Sequence, residues 1–136
     1  MNQVRNHPIL SEFCDPLPKL SEAGDKDVAG SVNRFGELLG NRAEPVSVGF
    51  HLTGDGERYF GMRVGPQGLH VDDATKADQP DFEIVTSEQT WRGIAQGEVS
   101  PLDAMARGQL RFRGDVVLAS RVVRELRHAA AKSEGS

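Results

Sequence analysis

The chain has 136 residues, 38% of them hydrophobic and 26% charged, with a formal net charge of −4. That length and composition suit one soluble globular domain and exclude a collagen-like or disordered chain. The single cysteine, Cys14, excludes an intramolecular disulfide, and no apolar run approaches the ~20 residues of a membrane-spanning helix.

Residues 1–20, "MNQVRNHPILSEFCDPLPKL", hold three of the seven prolines and little periodicity, and predict an irregular arm with at most one short turn. Residues 21–40 predict a helix. Ser21 is its candidate N-cap, Val28, Val32, Phe35 and Leu39 recur on one face, and Gly40 stops it. Periodicity then switches to two. Val46, Val48, Phe50 and Leu52 alternate with Ser47, Gly49 and His51; after "TGDGE" the alternation returns as Phe60, Met62 and Val64. Two such runs about a glycine-rich turn predict a β-hairpin. "GPQG" is a second turn, Leu69 and Val71 begin a third strand, and "DDATKADQPD" is a polar loop. "FEIVT" is a fourth strand, with Phe82 and Ile84 on one face and Glu83 and Val85 on the other.

Thr86 or Ser87 then caps a short helix carrying Trp91, Ile94 and Ala95, ending near Gly97. Ser100 caps a second, with Pro101 at its first position and Asp103 in its first turn; Gly108 closes it. "QLRFR" is a fifth strand, with Leu110 and Phe112 opposite Arg111 and Arg113. Gly114 turns the chain and Asp115 caps a last helix, whose stripe is Leu118, Ala119, Val122, Val123, Leu126, Ala129 and Ala130. One-sided alternation predicts an α+β domain: a five-stranded, mostly antiparallel sheet with helices packed on one face. The domain is expected over 21–132, after the arm 1–20 and before a flexible tail 133–136.

Charge is uneven. Residues 1–100 carry 9 Lys/Arg against 16 Asp/Glu, whereas residues 101–136 carry 7 against 4. The basic end is read as cations suited to a helix C-terminus rather than as a nucleic-acid site. Arg111 and Arg113 lack interleaved aromatics on their face, so an RNA-binding sheet is not expected. The chemistry-bearing residues are sparse. The histidines at 7, 51, 70 and 128 form no i, i+4 pair, and His51 and His70 become neighbours only if their strands pair. No metal centre and no cofactor are expected. Asp72, Asp73, Asp78, Asp81 and Glu83 read as a solvated loop rather than an acid–base pair, and no nucleophile elbow exists. No catalytic residue is assigned. The apolar set Phe50, Phe60, Met62, Phe82, Ile84, Trp91, Met105, Leu110, Phe112, Leu118 and Val122 converges from strands and helices, and either fills a core or lines a hollow.

The run "PDFEIVTSEQTWRGIAQGEVSPLDAMARGQLRFRGDVVLASRVVREL" resembles the sterol carrier protein two family. The likeness lies in "DFEIVTSEQTW" as a strand before a capped helix, in the "GEVSP" step, and in "AMARGQLRFRGD" before a final helix. The meander "VGFHLTGDGERYFGMRVGPQGLHV" also matches, so the likeness covers about residues 24–130 and is strongest over 81–126. The resemblance implies helices on one face of the sheet and an apolar cavity between the layers, lined by the set just named. It implies a non-catalytic carrier of a hydrophobic ligand, a fatty acid, acyl-CoA or sterol-like lipid, with at most transient membrane contact. Pro101 departs from the family's pattern. The absence of a peroxisomal signal suits a cytoplasmic, free-standing bacterial-type member. Two alternatives stay open: a small enzyme or accessory domain using His51, His70 or the Asp72/Asp73 pair, and a module whose apolar groove takes a partner helix. Oligomeric state and ligand identity are left undetermined.

Overall fold

A computed structural model describes residues 10–21, 28–40, 42–54, 56–73 and 79–134. After one 3-10 turn at Leu10–Phe13, helix α1 (Val28–Leu39) precedes strands β1 (Val46–Thr53), β2 (Glu57–Gly65), β3 (Gly68–Asp73) and β4 (Phe82–Ser87). Helices α2 (Glu88–Ala95) and α3 (Pro101–Ala106), strand β5 (Leu110–Gly114) and helix α4 (Val116–Glu134) complete the order. The expected N-cap of the first helix, Ser21, is a bend whose N–H donates to the Ala95 carbonyl at 3.3 Å, and the expected opening turns fall on 22–27, outside the described residues.

Punctuation follows the local chemistry. Ser87 caps α2 by accepting from the Thr90 N–H, Ser100 caps α3 by accepting from the Asp103 N–H, and Asp115 accepts from the Leu118 N–H at the start of α4. Gly108 stops α3 with φ +72°, and space around its missing side chain is open. Gly108→Val therefore meets backbone strain but no clash. It should lower stability by about 1 kcal/mol, a drop of a few degrees in melting temperature. An unchanged melting curve would contradict the left-handed assignment.

The sheet order is β3-β2-β1-β4-β5. Every neighbour pair is antiparallel except β1 and β4, which run parallel. That pair is the centre of the sheet, and the parallel join requires the long connection through β2, β3 and the polar loop. Register stacks the inner face in rows. Phe60, Phe50, Ile84 and Phe112 lie side by side across four strands, and Met62, Val48 and Phe82 form the next row. These rows are the physical meaning of the alternation in the sequence: one pleat face is continuously apolar and must be covered.

Helices supply the cover. Val28, Val32, Phe35 and Leu39 of α1, Trp91 and Ile94 of α2, Ala104 of α3, and Ala119, Val122, Val123 and Leu126 of α4 are buried in one cluster with the strand residues. Phe13, Leu17 and Leu20 of the arm join the same cluster. Leu118 and Met105 pack against it only partly buried. Arg42 locks the lead into β1 onto α4 through a two-pronged contact with Glu125, at 2.8 and 2.9 Å, and this hydrogen-bonded carboxylate raises the guanidinium's pKa. Among the described residues, no helix is long and apolar enough to cross a membrane.

The acidic stretch after β3 is not simply a solvated loop. Asp81 accepts from the Ser47 N–H at 2.8 Å, and its carbonyl accepts from the Asp115 N–H at 2.9 Å, tying β4 to β1 and to the start of α4. Glu83 is only 7% exposed and pairs with Arg113 at 3.4 Å on the outer sheet face. A carboxylate on a central strand is screened from water by its neighbours, which sequence proximity to other acids did not indicate. Asp78 and the side chain of Asp73 lie outside the described residues.

A closed apolar void between sheet and helices

The candidate site sits between the two layers. Phe82, Ile84, Leu110 and Phe112 form its sheet wall. Phe35 of α1, Trp91 and Ile94 of α2, Pro101 of α3, Val123 of α4 and Leu17 of the arm close it. Every one of these residues is apolar, apart from the indole nitrogen of Trp91. That nitrogen donates to the Ser31 hydroxyl at 2.7 Å, and the hydroxyl in turn donates to the Val28 carbonyl at 2.6 Å. The tryptophan thus presents its ring edge-on to Phe50, centroids 5.4 Å apart, with its polar atom satisfied inside α1. No group in the lining can exchange a proton or hold a metal. What the site can do is receive apolar atoms.

Five of the eleven residues singled out from the sequence surround the void: Phe82, Ile84, Trp91, Leu110 and Phe112. Phe50, Phe60, Met62 and Val122 are buried in the surrounding core without lining the void, and Met105 and Leu118 pack partly buried against that core. Leu17, Phe35, Ile94, Pro101 and Val123 line it although they were not singled out as a site. Phe35, Ile94 and Val123 were already on predicted inner faces. Leu17 carried no periodic signal, standing between Pro16 and Pro18 in the arm.

The void's volume is about 10 Å³, room for roughly one water. A pocket that encloses a small ligand is typically about 300–1,000 Å³. The layers are therefore closed on each other. The arm contributes to the filling: Phe13 is fully buried and stacks on Phe112, with centroids 4.8 Å apart. A larger cleft of about 630 Å³ lies beyond Leu110, walled by Thr53, Thr86, Ser87, Thr90, Arg107 and Arg111. Two of its hydroxyls donate internally: Thr86 to the Gln109 carbonyl at 2.7 Å and Ser87 to the Thr90 hydroxyl at 2.9 Å.

The histidines stand elsewhere. His51 and His70 are not neighbours, because β2 lies between their strands; His51 faces Tyr59 and His70 faces Arg63. The His51 ring stacks on Tyr59 at 4.4 Å, and its Nε2 lies 3.3 Å from Glu57 without hydrogen-bond alignment. The Tyr59 pKa is raised, by desolvation first and by its bond to Glu57 second. His70 lies 3.2 Å from Asp72 with its side chain 75% exposed. Both histidines occupy the outer face, and the sheet separates them from the apolar void. Among the described residues, no three His, Cys, Asp or Glu side chains gather as metal ligands.

The sequence profile of the SCP-2 sterol transfer family matches residues 32–127. No curated protein sequence matches the chain significantly. Among solved structures, a double mutant of the sec-alkyl sulfatase PisA1, an enzyme of Pseudomonas sp., aligns with a TM-score of 0.61 at 11% identity. The alignment covers 83% of this chain but 18% of the sulfatase, so the likeness is to a small part of that enzyme. Palmitated SCP2L2 from Aedes aegypti aligns with a TM-score of 0.55 at 19% identity, over 70% of this chain and 89% of that one. The sterol carrier protein domain 2 of Helicoverpa armigera aligns at 0.52 and 18% identity, over 76% and 80%. At these identities the structural likeness is one of fold.

Proposed function

The chain belongs to the SCP-2 sterol transfer family, and from that membership we propose that it is a non-catalytic carrier of a lipid's apolar chain, held between sheet and helices. The observation that carries this reading is the uniformly apolar lining of the void between the layers. The ligand classes are a fatty acid, an acyl-CoA or a sterol-like lipid. Palmitate is the first probe, since a structural relative is described as palmitated. Phe82, Ile84, Trp91, Leu110 and Phe112 make first contact; Phe50, Phe60 and Met62 back them, and Met105, Leu118 and Val122 flank the widened chamber. Burying about 15 methylenes is worth ~12 kcal/mol gross, and association costs of at least ~4 kcal/mol leave micromolar affinity.

Titration of the purified protein with palmitate, palmitoyl-CoA and a sterol checks this. Trp91 is the sole tryptophan and lines the void, so its emission should shift with at least one of them. The melting temperature should rise with the same ligand, because binding only to the folded state stabilises it. No shift and no stabilisation by any of the three would reject the lipid-carrier reading. A second reading, an accessory role beside an enzyme, is favoured by the occurrence of this fold within the longer sulfatase chain.

A further inference from the structure

We propose that the N-terminal arm is a built-in plug: Phe13 and Leu17 occupy the space that a lipid chain takes, and the arm leaves when the ligand enters. This rests on the lipid-binding reading above and adds its regulation. Four observations point to it. The arm lies outside the family match, which begins at residue 32, yet it delivers three buried side chains to the apolar layer, Phe13, Leu17 and Leu20, with Phe13 at 0% and Leu17 at 6% exposure. Phe13 stacks on Phe112, and Leu17 is itself part of the void's lining. With the arm in place the remaining void is about 10 Å³, too small for any acyl chain, so entry requires some of the filling to leave.

The arm is also the segment best suited to leave. Each strand of the sheet is tied by a ladder, and each helix by its own bonds. Between Leu10 and Ser21 the backbone has one short turn, and its backbone-to-backbone bonds to the rest of the fold are those of Leu20 and Ser21 to the Ala95 carbonyl. A polar clasp holds it at the surface of α4. Glu12 receives Arg124 at 3.0 Å and Arg127 at 2.9 Å, and Arg127 also donates to the Asp15 carbonyl at 2.8 Å. These arginines thus clasp the arm rather than merely suiting the helix dipole. Pro16 and Pro18 restrict the chain on either side of Leu17, which lowers the entropy lost on docking. An apolar insert, a polar clasp and few backbone bonds describe a segment that can dock and undock as a unit.

The plug makes apparent affinity equal to intrinsic affinity multiplied by the fraction of molecules with the arm out. Weakening the arm should therefore tighten ligand binding. In the full-length chain, Phe13→Ala and Glu12→Gln should each bind palmitate more tightly than the wild type, by roughly tenfold for the first and about threefold for the second. Glu12→Gln matters because it leaves the void's lining untouched and only loosens the clasp, so an affinity gain there cannot come from a new hole. Circular dichroism verifies that each variant is folded; if Phe13→Ala is not, Glu12→Gln carries the test. Cys14, the sole cysteine, half-buried beside Phe13, reports the arm directly. Saturating palmitate should speed its reaction with an aromatic disulfide by about tenfold or more in the wild type, since ligand binding raises the arm-out fraction. Palmitate binding by the wild type with equal or weaker binding by Glu12→Gln, and an unchanged Cys14 rate, would overturn the plug and leave the lipid reading standing. Failure of all three proteins to bind palmitate, palmitoyl-CoA or a sterol would overturn both.

Discussion

Ile84→Asp is expected to cost more than about 4 kcal/mol at neutral pH, a large share of the total stability of a domain this size, and to abolish palmitate binding. Ile84 is 4% exposed, pairs with Phe50 on one side and Phe112 on the other, and forms part of the void's wall. The substitution loses an aliphatic side chain and asks a carboxylate to sit among apolar groups with no partner. The group responds by holding its proton, so its folded-state pKa rises above the unfolded value of ~3.9. The sign follows from linkage. Below pH ~4 both states are protonated and the variant shows only the packing loss. As pH rises above that value the unfolded state releases its proton and stability falls, levelling once the buried group ionises too. Urea unfolding at several pH values checks this. Ile84→Val, which keeps the shape, should cost about 1 kcal/mol and retain ligand binding. An Ile84→Asp variant as stable as the wild type at neutral pH would mean that this wall is not dry.

The second large effect is expected at Gly114, the last residue of β5. Its φ is +91°, and a Cβ placed on it would lie 2.6 Å from the Asp81 carbonyl oxygen and 3.1 Å from Phe82 Cα. Both neighbours are backbone on the paired strand, so no side-chain rotation relieves the contact. Moving Asp81 would also disturb its bonds to Ser47 and Asp115. Gly114→Ala thus adds backbone strain to overpacking and should destabilise by about 3 kcal/mol, lowering the melting temperature by roughly 10 °C. The contrast with Gly108 is the sharper test. Both glycines have positive φ, but only Gly114 has backbone where the side chain would go. Equal losses at the two positions would show that conformational strain alone matters and that the close approach at Gly114 does not.

Much of the architecture is already determined by the sequence itself. Five strands, the short helices α2 and α3 and the long α4 stand where periodicities of two and 3.6 placed them. Their ends coincide with Ser87, Ser100, Asp115, Gly40, Gly108 and Gly114, because capping and positive-φ chemistry act within a few residues of chain. The inner-face rows follow for the same reason: a pleat fixes which side chains share a face once the strand is known. Tertiary structure decided what depends on segments distant in sequence. Strand β1 pairs with β2 on one edge and with β4 on the other, so β3 lies on the far side of β2, which parted His51 from His70. The packing of neighbouring strands and of Arg113 buried Glu83, a residue that looks solvated when read beside its acidic neighbours. Above all, the arm's course over α4 and into the apolar layer was invisible. Phe13 and Leu17 sit in a proline-bearing stretch without period, and their burial depends on Phe112 and on the Glu12 clasp to Arg124 and Arg127, about a hundred residues away. Periodicity records which face of an element is apolar; only the assembled layers decide what fills the space between them.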